Sequence, residues 1–253
     1  MGADLGWFEK FAKAYYPSGE DEVKLTEVMP KNTIRIPKVF LAFDLKGSRQ
    51  SMKAYFYPVI KNMTSGLNSD NAVFELVRSL GVEGFDEQLG VIEGYEKRLG
   101  GEEGPLTVVV GIDCIKVEEG ARIKIYIEPR SNSFAAAKQH LTLGGLLKDK
   151  TTLEGVEILR EMWNLMINEP EEKEIDEGWE KPVKETFPKS SGACFSWELR
   201  PGKTVPDVKV YVSLRQFYET DRGIVGAMEK VFAKRGWAWG VEGKYGEVIG
   251  DAL

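Results

Sequence analysis

Lysine and tyrosine recur two residues apart in three stretches of alternating polarity: Lys53-Ala54-Tyr55, Lys124-Ile125-Tyr126 and Lys209-Val210-Tyr211. Side chains alternate faces along a strand, so the lysine and tyrosine of each copy share one face and the small or branched apolar residue takes the other. Arg122, two residues before Lys124, falls on the same face. Ammonium and guanidinium groups only donate hydrogen bonds and carry fixed positive charge. Tyrosine adds a hydroxyl and a π face that attracts cations. A Lys–Tyr face backed by an apolar face suits the polar lumen of a barrel holding an anionic ligand. Composition alone predicts about one such basic-x-Tyr triplet, and the chain has four, the fourth being Lys13-Ala14-Tyr15 in a helix-like stretch. The weight of the pattern therefore lies in its strand context and its recurrence. An exposed sheet face is also rich in Lys and Tyr, and the residues alone leave both readings open.

The elements that must carry these residues follow from periodicity and turn chemistry. Residues 4–16 have helical spacing, with Trp7, Phe8, Phe11 and Tyr15 on one side. Residues 39–57 read as a hairpin turning at Lys46-Gly47-Ser48. Asn68, Ser69 and Asp70 offer a cap for a helix carrying Val73, Leu76, Val77 and Leu80, and a second helix over 86–99 stops at Gly100-Gly101. A second hairpin joins 106–110 to 121–127 through Glu118-Glu119-Gly120. Residues 133–142 are helical up to Gly144-Gly145, and Thr151 with Glu154 has capping-box spacing before Val156, Leu159, Met162 and Trp163. Residues 168–190 form an acidic loop. A third hairpin pairs 193–199 with 208–213, Asp221 caps a helix that ends at Gly236, and the chain closes in a further helical segment. Two helices and a hairpin thus repeat, which predicts side-by-side hairpins curving toward a barrel with helices outside.

The chain has 253 residues, 42% of them hydrophobic, and a net charge of −6. That acidity excludes general nucleic-acid binding as a leading reading, and with it a sheet face that grips nucleic acid. Acidic runs at Glu20–Glu22 and Glu169–Glu180 read as loops, leaving the basic face segregated from them as a positive interior. Cys114 and Cys194 show neither metal spacing nor a disulfide framework. No signal peptide and no apolar run of about 20 residues is present, so a cytoplasmic protein without a membrane partner is expected.

Taken together, Leu41–Pro58, Arg122–Tyr126, Leu141-Thr142-Leu143-Gly144-Gly145, Thr152-Leu153-Glu154-Gly155 and Val208–Tyr211 resemble the dimethylallyltryptophan-synthase-type aromatic prenyltransferases, the fungal indole prenyltransferases. The likeness runs over nearly the whole chain. It implies an α+β fold, an antiparallel ten-stranded barrel of ααββ units with outer helices, here one domain over 1–253 with about six strands. It implies transfer of a dimethylallyl group from an allylic diphosphate to an aromatic, indole-type acceptor in alkaloid biosynthesis, with no cofactor and no metal. By the resemblance Lys53, Arg122, Lys124 and Lys209 bind the diphosphate, and Tyr55, Tyr126 and Tyr211 cover the prenyl chain. The absence of an Asp-Asp-x-x-Asp box agrees with side-chain cations neutralising the leaving group.

The pattern also departs from the family. By the resemblance, the chain is expected to start where the family has completed its first repeat, which supplies the acidic residue for the indole N–H, and to end before the last hairpin. Where some members carry a lysine base, this chain has Phe40. Six strands leave two raw edges, which predicts weak turnover or a catalytically inactive remnant that at most binds diphosphate or a protein partner, and self-association through those edges. His140, the only histidine, reads as structural, and Glu102 and Glu103 as solvated. Gly100-Gly101 and Gly144-Gly145 read as helix stops rather than phosphate loops. Trp163, Trp179, Trp197, Trp237 and Trp239 are candidate acceptor-pocket rings or core packing, with the facing of Trp197 the one to check.

Overall fold

The computed structural model describes residues 3–29, 36–100, 104–185 and 190–251. The chain divides into two compact units, residues 1–130 with 195–209, and residues 131–194 with 210–253.

The first unit carries most of the sheet. It begins with α1 (Gly6–Tyr15), as the helical spacing predicts, and α2 (Gly19–Val28). The second helix corrects the reading of Glu20–Glu22 as loop. Ser18 Oγ accepts from Asp21 N at 3.2 Å and Asp21 Oδ2 accepts from Ser18 N at 2.8 Å, a reciprocal cap that makes an acidic first turn favourable. Asp21 also pairs with Lys61 and accepts from Thr64 Oγ1 at 2.7 Å, which ties α2 to α3 (Pro58–Ser65). The Lys61 contact holds the Asp21 carboxyl well below the usual carboxylate range. The α3 helix is a second difference from the sequence reading. Pro58, which looks like a strand stop, sits at the first helical turn, where its missing N–H costs nothing.

The hairpins match expectation: β1 (Val39–Lys46) with β2 (Arg49–Phe56), and β3 (Leu106–Asp113) with β4 (Ile123–Glu128). Between them lie α4 (Ser69–Arg78), capped by Asn68, and α5 (Phe85–Leu99), which ends at Gly100 with a positive φ. Glu102 and Glu103 lie outside the described residues. The strands β5 (Ala193–Leu199) and β6 (Asp207–Val212) run from one unit into the other, and the sheet order is β1-β2-β3-β4-β5-β6, antiparallel at each pair whose register is described. The edge strand β1 leaves Leu41, Phe43 and Leu45 exposed.

One sheet face is dry. Ala54 and Phe56, Val110 and Ile112, Ile123, Ile125 and Ile127, and Trp197 and Leu199 are each at most 1% exposed. The α1 helix packs on β2, with Phe8 and Phe11 rings 5.6 and 6.0 Å from Phe56, and α3 and α4 pack on β3. Each large side chain buried this way contributes about 1.5–3 kcal/mol. A one-residue slip would drive Lys53 and Lys124 into this core, so the register is strongly specified. Trp197 belongs to the dry face, across from Ile125, and is thereby removed from the candidate acceptor-pocket rings.

The second unit is helical: α6 (Phe134–Leu141), α7 (Lys150–Met166), α8 (Asp221–Lys234), α9 (Ala238–Val241) and α10 (Lys244–Gly250). Two caps fall one or two residues earlier than the spacing suggests. Asp149 Oδ1 accepts from Thr152 N at 3.0 Å and Thr220 Oγ1 from Gly223 N at 3.1 Å, displacing Thr151 and Asp221 from those roles. Each boundary holds several adjacent capping residues, and only the backbone decides which one is used. Met162 and Leu165 of α7 pack with Val231 of α8. Trp163 is buried edge-on to Phe134, centroids 5.6 Å apart, so it too is core. Trp179 lies under Lys173 Nζ, while Trp237 and Trp239 are exposed. His140 is buried, and burial lowers its pKa to about 4, so it stays neutral in its structural place. Among the described residues, no helix is long and apolar enough to cross a membrane.

Candidate functional site

The face opposite the dry core carries the Lys–Tyr phrases. Residues directly across a ladder share a face, and the register lines up Phe40, Tyr55, Gly111, Lys124 and Glu198 across five strands. A neighbouring row sets Ala42, Lys53 and Asp113 side by side, and a third sets Val109, Tyr126 and Ser196. Strand alternation alone thus brings Lys53, Tyr55, Arg122, Lys124 and Tyr126 onto one surface of the first unit.

The aromatic part is close-packed. The Tyr55 ring lies 5.8 Å from Phe40 and 6.2 Å from Tyr126, centroid to centroid. Gly111 makes this arrangement fit. A Cβ there would stand 2.8 and 2.9 Å from Tyr55 ring carbons and 3.5 Å from Tyr126. The Tyr55 ring therefore lies over bare backbone of β3. Beside Tyr126, Ser196 is fully buried and its Oγ has no hydrogen-bond partner among the described residues.

The cations converge on a carboxylate that the sequence reading passed over. Glu198 is fully buried, and four basic groups from β4, β5 and β6 with their flanking residues meet it. Its Oε1 faces Arg122 at 3.3 Å and Arg200, and its Oε2 faces Lys124 at 3.4 Å and Lys209 at 3.1 Å. Arg122 also donates to Asp113 Oδ2 at 2.7 Å, and Lys53 pairs with Asp44. Arg200 reaches Asp207 at 2.8 Å. Burial pushes the Glu198 carboxyl up, but the Lys209 hydrogen bond and the charges of Arg122, Lys209 and Lys124 outweigh it and bring the pKa down to about 2. The Lys53 hydrogen bond likewise holds Asp44 below the usual carboxylate range, with Arg122 and Lys124 adding to the field.

This corrects the expectation that acidic groups are segregated from the basic face. Asp44, Asp113, Glu198 and Asp207 interleave with it, so the described face is largely charge-balanced. The side chains of Arg122, Lys124, Arg200 and Lys209 are 22%, 15%, 37% and 48% exposed against 0% for Glu198. The cations therefore form the outer layer and the carboxylate the floor. Lysine has three N–H donors and arginine five, so each keeps donors for a further anion. Tyr211 lies two residues beyond Lys209 on β6, in the second unit, and is 42% exposed.

The turn between β5 and β6 is anchored from below by another missed residue. Gln88, fully buried on α5, donates to Arg200 O at 2.8 Å and Lys203 O at 3.0 Å and accepts from Arg200 N at 3.1 Å. Gly84, with φ +85°, lets that turn approach, since a Cβ there would stand 2.3 Å from Lys203 O. Both hold Arg200 where it meets Glu198. In the second unit, a recess of about 410 Å³ lies against Leu165, Asn168, Tyr218, Arg222 and Lys230, and none of the sequence-predicted site residues lines it. Among the described residues, no group of three His, Cys, Asp or Glu side chains is arranged to hold a metal ion.

Comparison with known proteins agrees with this architecture. The chain is 33% identical over its whole length to an indole diterpene prenyltransferase, terF, of Tolypocladium album, covering 61% of that protein. It is 34% identical over 98% of its length to the indole prenyltransferase tdiB of Emericella nidulans, again covering 61%. Among solved structures, AnaPT from Neosartorya fischeri matches 97% of the chain with a TM-score of 0.75 at 23% identity, and the chain covers 55% of it. NotF, solved in complex with brevianamide F and DMSPP, matches 93% with a TM-score of 0.68 at 20% identity, and the chain covers 54% of it. These two share the prenyltransferase barrel fold, of which the described chain carries six antiparallel strands and helices in an unclosed sheet. The chain thus spans at most about three fifths of each of these relatives. The family model for tryptophan dimethylallyltransferase matches residues 1–247, and the chain belongs to that family.

Proposed function

We propose that this chain contributes the donor site of an aromatic prenyltransferase, which moves a dimethylallyl group from its diphosphate to an indole-type acceptor in alkaloid biosynthesis. The observation that carries the reading is the convergence of Arg122, Lys124 and Lys209 on one sheet face beside Tyr55 and Tyr126, in a chain of this family. In this reading the outer N–H groups of Arg122, Lys124 and Lys209 hold the diphosphate, with Lys53 at its edge. Breaking the allylic C–O bond leaves both electrons on the diphosphate and positive charge on the prenyl carbon. Preplaced cations stabilise the first, most strongly where water is scarce. The Tyr55 and Tyr126 rings offer π faces to the second and shield it from water. Tyr211 keeps its place in the prenyl-covering layer only by the family resemblance. The acceptor ring then attacks the prenyl carbon and loses a proton. Neither cofactor nor metal enters the scheme.

A second reading, binding of diphosphate without turnover, is favoured by the carboxylates that already neutralise the cations. Self-association through the sheet edges belongs to the same proposal and is supported by the exposed Leu41, Phe43 and Leu45 of β1. One assay separates the two readings. The chain is incubated with dimethylallyl diphosphate, indole acceptors and EDTA, and pyrophosphate binding is measured in parallel. Prenylated product supports the transferase, and binding without product at high enzyme supports the second reading. Lys124→Met should abolish any product and weaken pyrophosphate by at least about tenfold, as loss of a desolvated point charge predicts. Unchanged binding removes Lys124 from the site.

A further inference from the structure

We infer that Glu198 is the resident counter-anion of the donor site: it holds Arg122, Lys124, Arg200 and Lys209 together while the site is empty and competes with the diphosphate for them when it fills. The inference rests on the reading of this cluster as a diphosphate site.

Four cations within reach of one point repel one another strongly in a partly dry environment. The only carboxylate that touches all four among the described residues is Glu198. It divides its oxygens between them, guanidinium groups on Oε1 and ammonium groups on Oε2. Its place directly across from Lys124 in the ladder fixes it by backbone register rather than by a flexible side chain. Because it is fully buried while the cations are partly exposed, an arriving anion meets the cations first. Such an anion engages their remaining donors and leaves the carboxylate beneath. Two anions then share one set of cations, and their mutual repulsion lowers the affinity of the second. Glu198 thus sets how tightly the site holds both the donor's diphosphate and the pyrophosphate it releases.

Neutralising Glu198 without changing its shape separates this role from a merely structural one, because the two predict opposite signs. Inorganic pyrophosphate is titrated calorimetrically into the wild-type chain and Glu198→Gln, and thermal unfolding is followed with and without it. Removing one like charge close to the bound anion predicts pyrophosphate binding tighter by about tenfold or more. It also predicts a lower melting temperature without anion and a larger rise on adding pyrophosphate. Removing one cation as well, in Glu198→Gln/Lys209→Gln, should bring both quantities back toward wild type. Should Glu198→Gln fold only when refolded with pyrophosphate, the exchange of one anion for another is supported directly. Failure to fold even then, or binding equal to or weaker than wild type, overturns the inference. If neither protein binds pyrophosphate, the donor-site reading itself falls. If the wild type binds and the variant gains nothing, only the role of Glu198 is lost.

Discussion

Gly111→Ala isolates the close approach on which the aromatic layer depends. In a strand, replacing glycine by alanine should stabilise by roughly 0.5–1 kcal/mol, because the unfolded chain loses freedom. Gly111 does not have a positive φ, so its backbone accepts alanine without strain. Against this stands the Cβ, which would lie 2.8 and 2.9 Å from two carbons of the Tyr55 ring. Contacts that short force the ring to move, and overpacking of this kind costs about 1–3 kcal/mol. The expected balance is a net loss of about 1–2 kcal/mol. Tyr126, at 3.5 Å, is in ordinary contact and contributes little to the clash. In a Tyr55→Ala background the ring is gone, and the same change should become stabilising by roughly 0.5–1 kcal/mol. Urea unfolding of the four proteins reads the effect as a midpoint shift at constant slope. The sign of Gly111→Ala should reverse between backgrounds. Equal destabilisation in both would falsify the claim that Gly111 exists to seat the Tyr55 ring.

Two further outcomes follow from other contacts. Gln88→Leu leaves at least two of the polar groups around the β5–β6 turn unsatisfied and should cost about 2–4 kcal/mol, with raised hydrogen exchange in the turn at 200–203; an unchanged melting temperature would remove Gln88 as its anchor. Stability should also depend on pH in two opposite windows. Glu198 is depressed from 4.5 to about 2, so its contribution is present above pH 4.5 and is lost as pH falls toward 2. Burial, with the charges of Asp70 and Glu93, raises Glu96 from 4.5 to about 8, so its contribution is complete below pH 4.5 and is lost as pH rises to about 8. Glu96→Gln should remove the alkaline loss, and Glu198→Gln should reduce the acid loss, to which Asp21 and the buried neutral His140 also contribute. Thermal unfolding between pH 3 and 9 tests both, and an alkaline limb that survives Glu96→Gln would reassign it to another group.

The three hairpins were legible because alternation and turn residues are local signals, and the core register makes them consequential. Lys53, Tyr55, Arg122, Lys124 and Tyr126 could be assigned to one face for the same reason. Helices α2 and α3 were not legible. The first hides in an acidic run whose cap is a Ser18–Asp21 reciprocity, and the second starts on a proline that reads equally well as a stop. Glu198 was missed although Ser196 and Glu198 alternate with Trp197 in the third hairpin, a pattern that could have flagged them as sharing the lysine face. What it could not supply was the partner, since Arg122 lies 76 residues away.

From its residues alone, the chain determines its strands, the face each lysine and tyrosine takes, and the family it joins, because all three rest on short-range spacing. Only the tertiary structure decided that the lysines do not stand free, that Gly111 makes room for a ring and that Gln88 holds a turn. Those facts depend on which strand lies beside which and in what register. A ladder brings together residues that the chain keeps far apart, and burial then converts their proximity into charge balance and close packing.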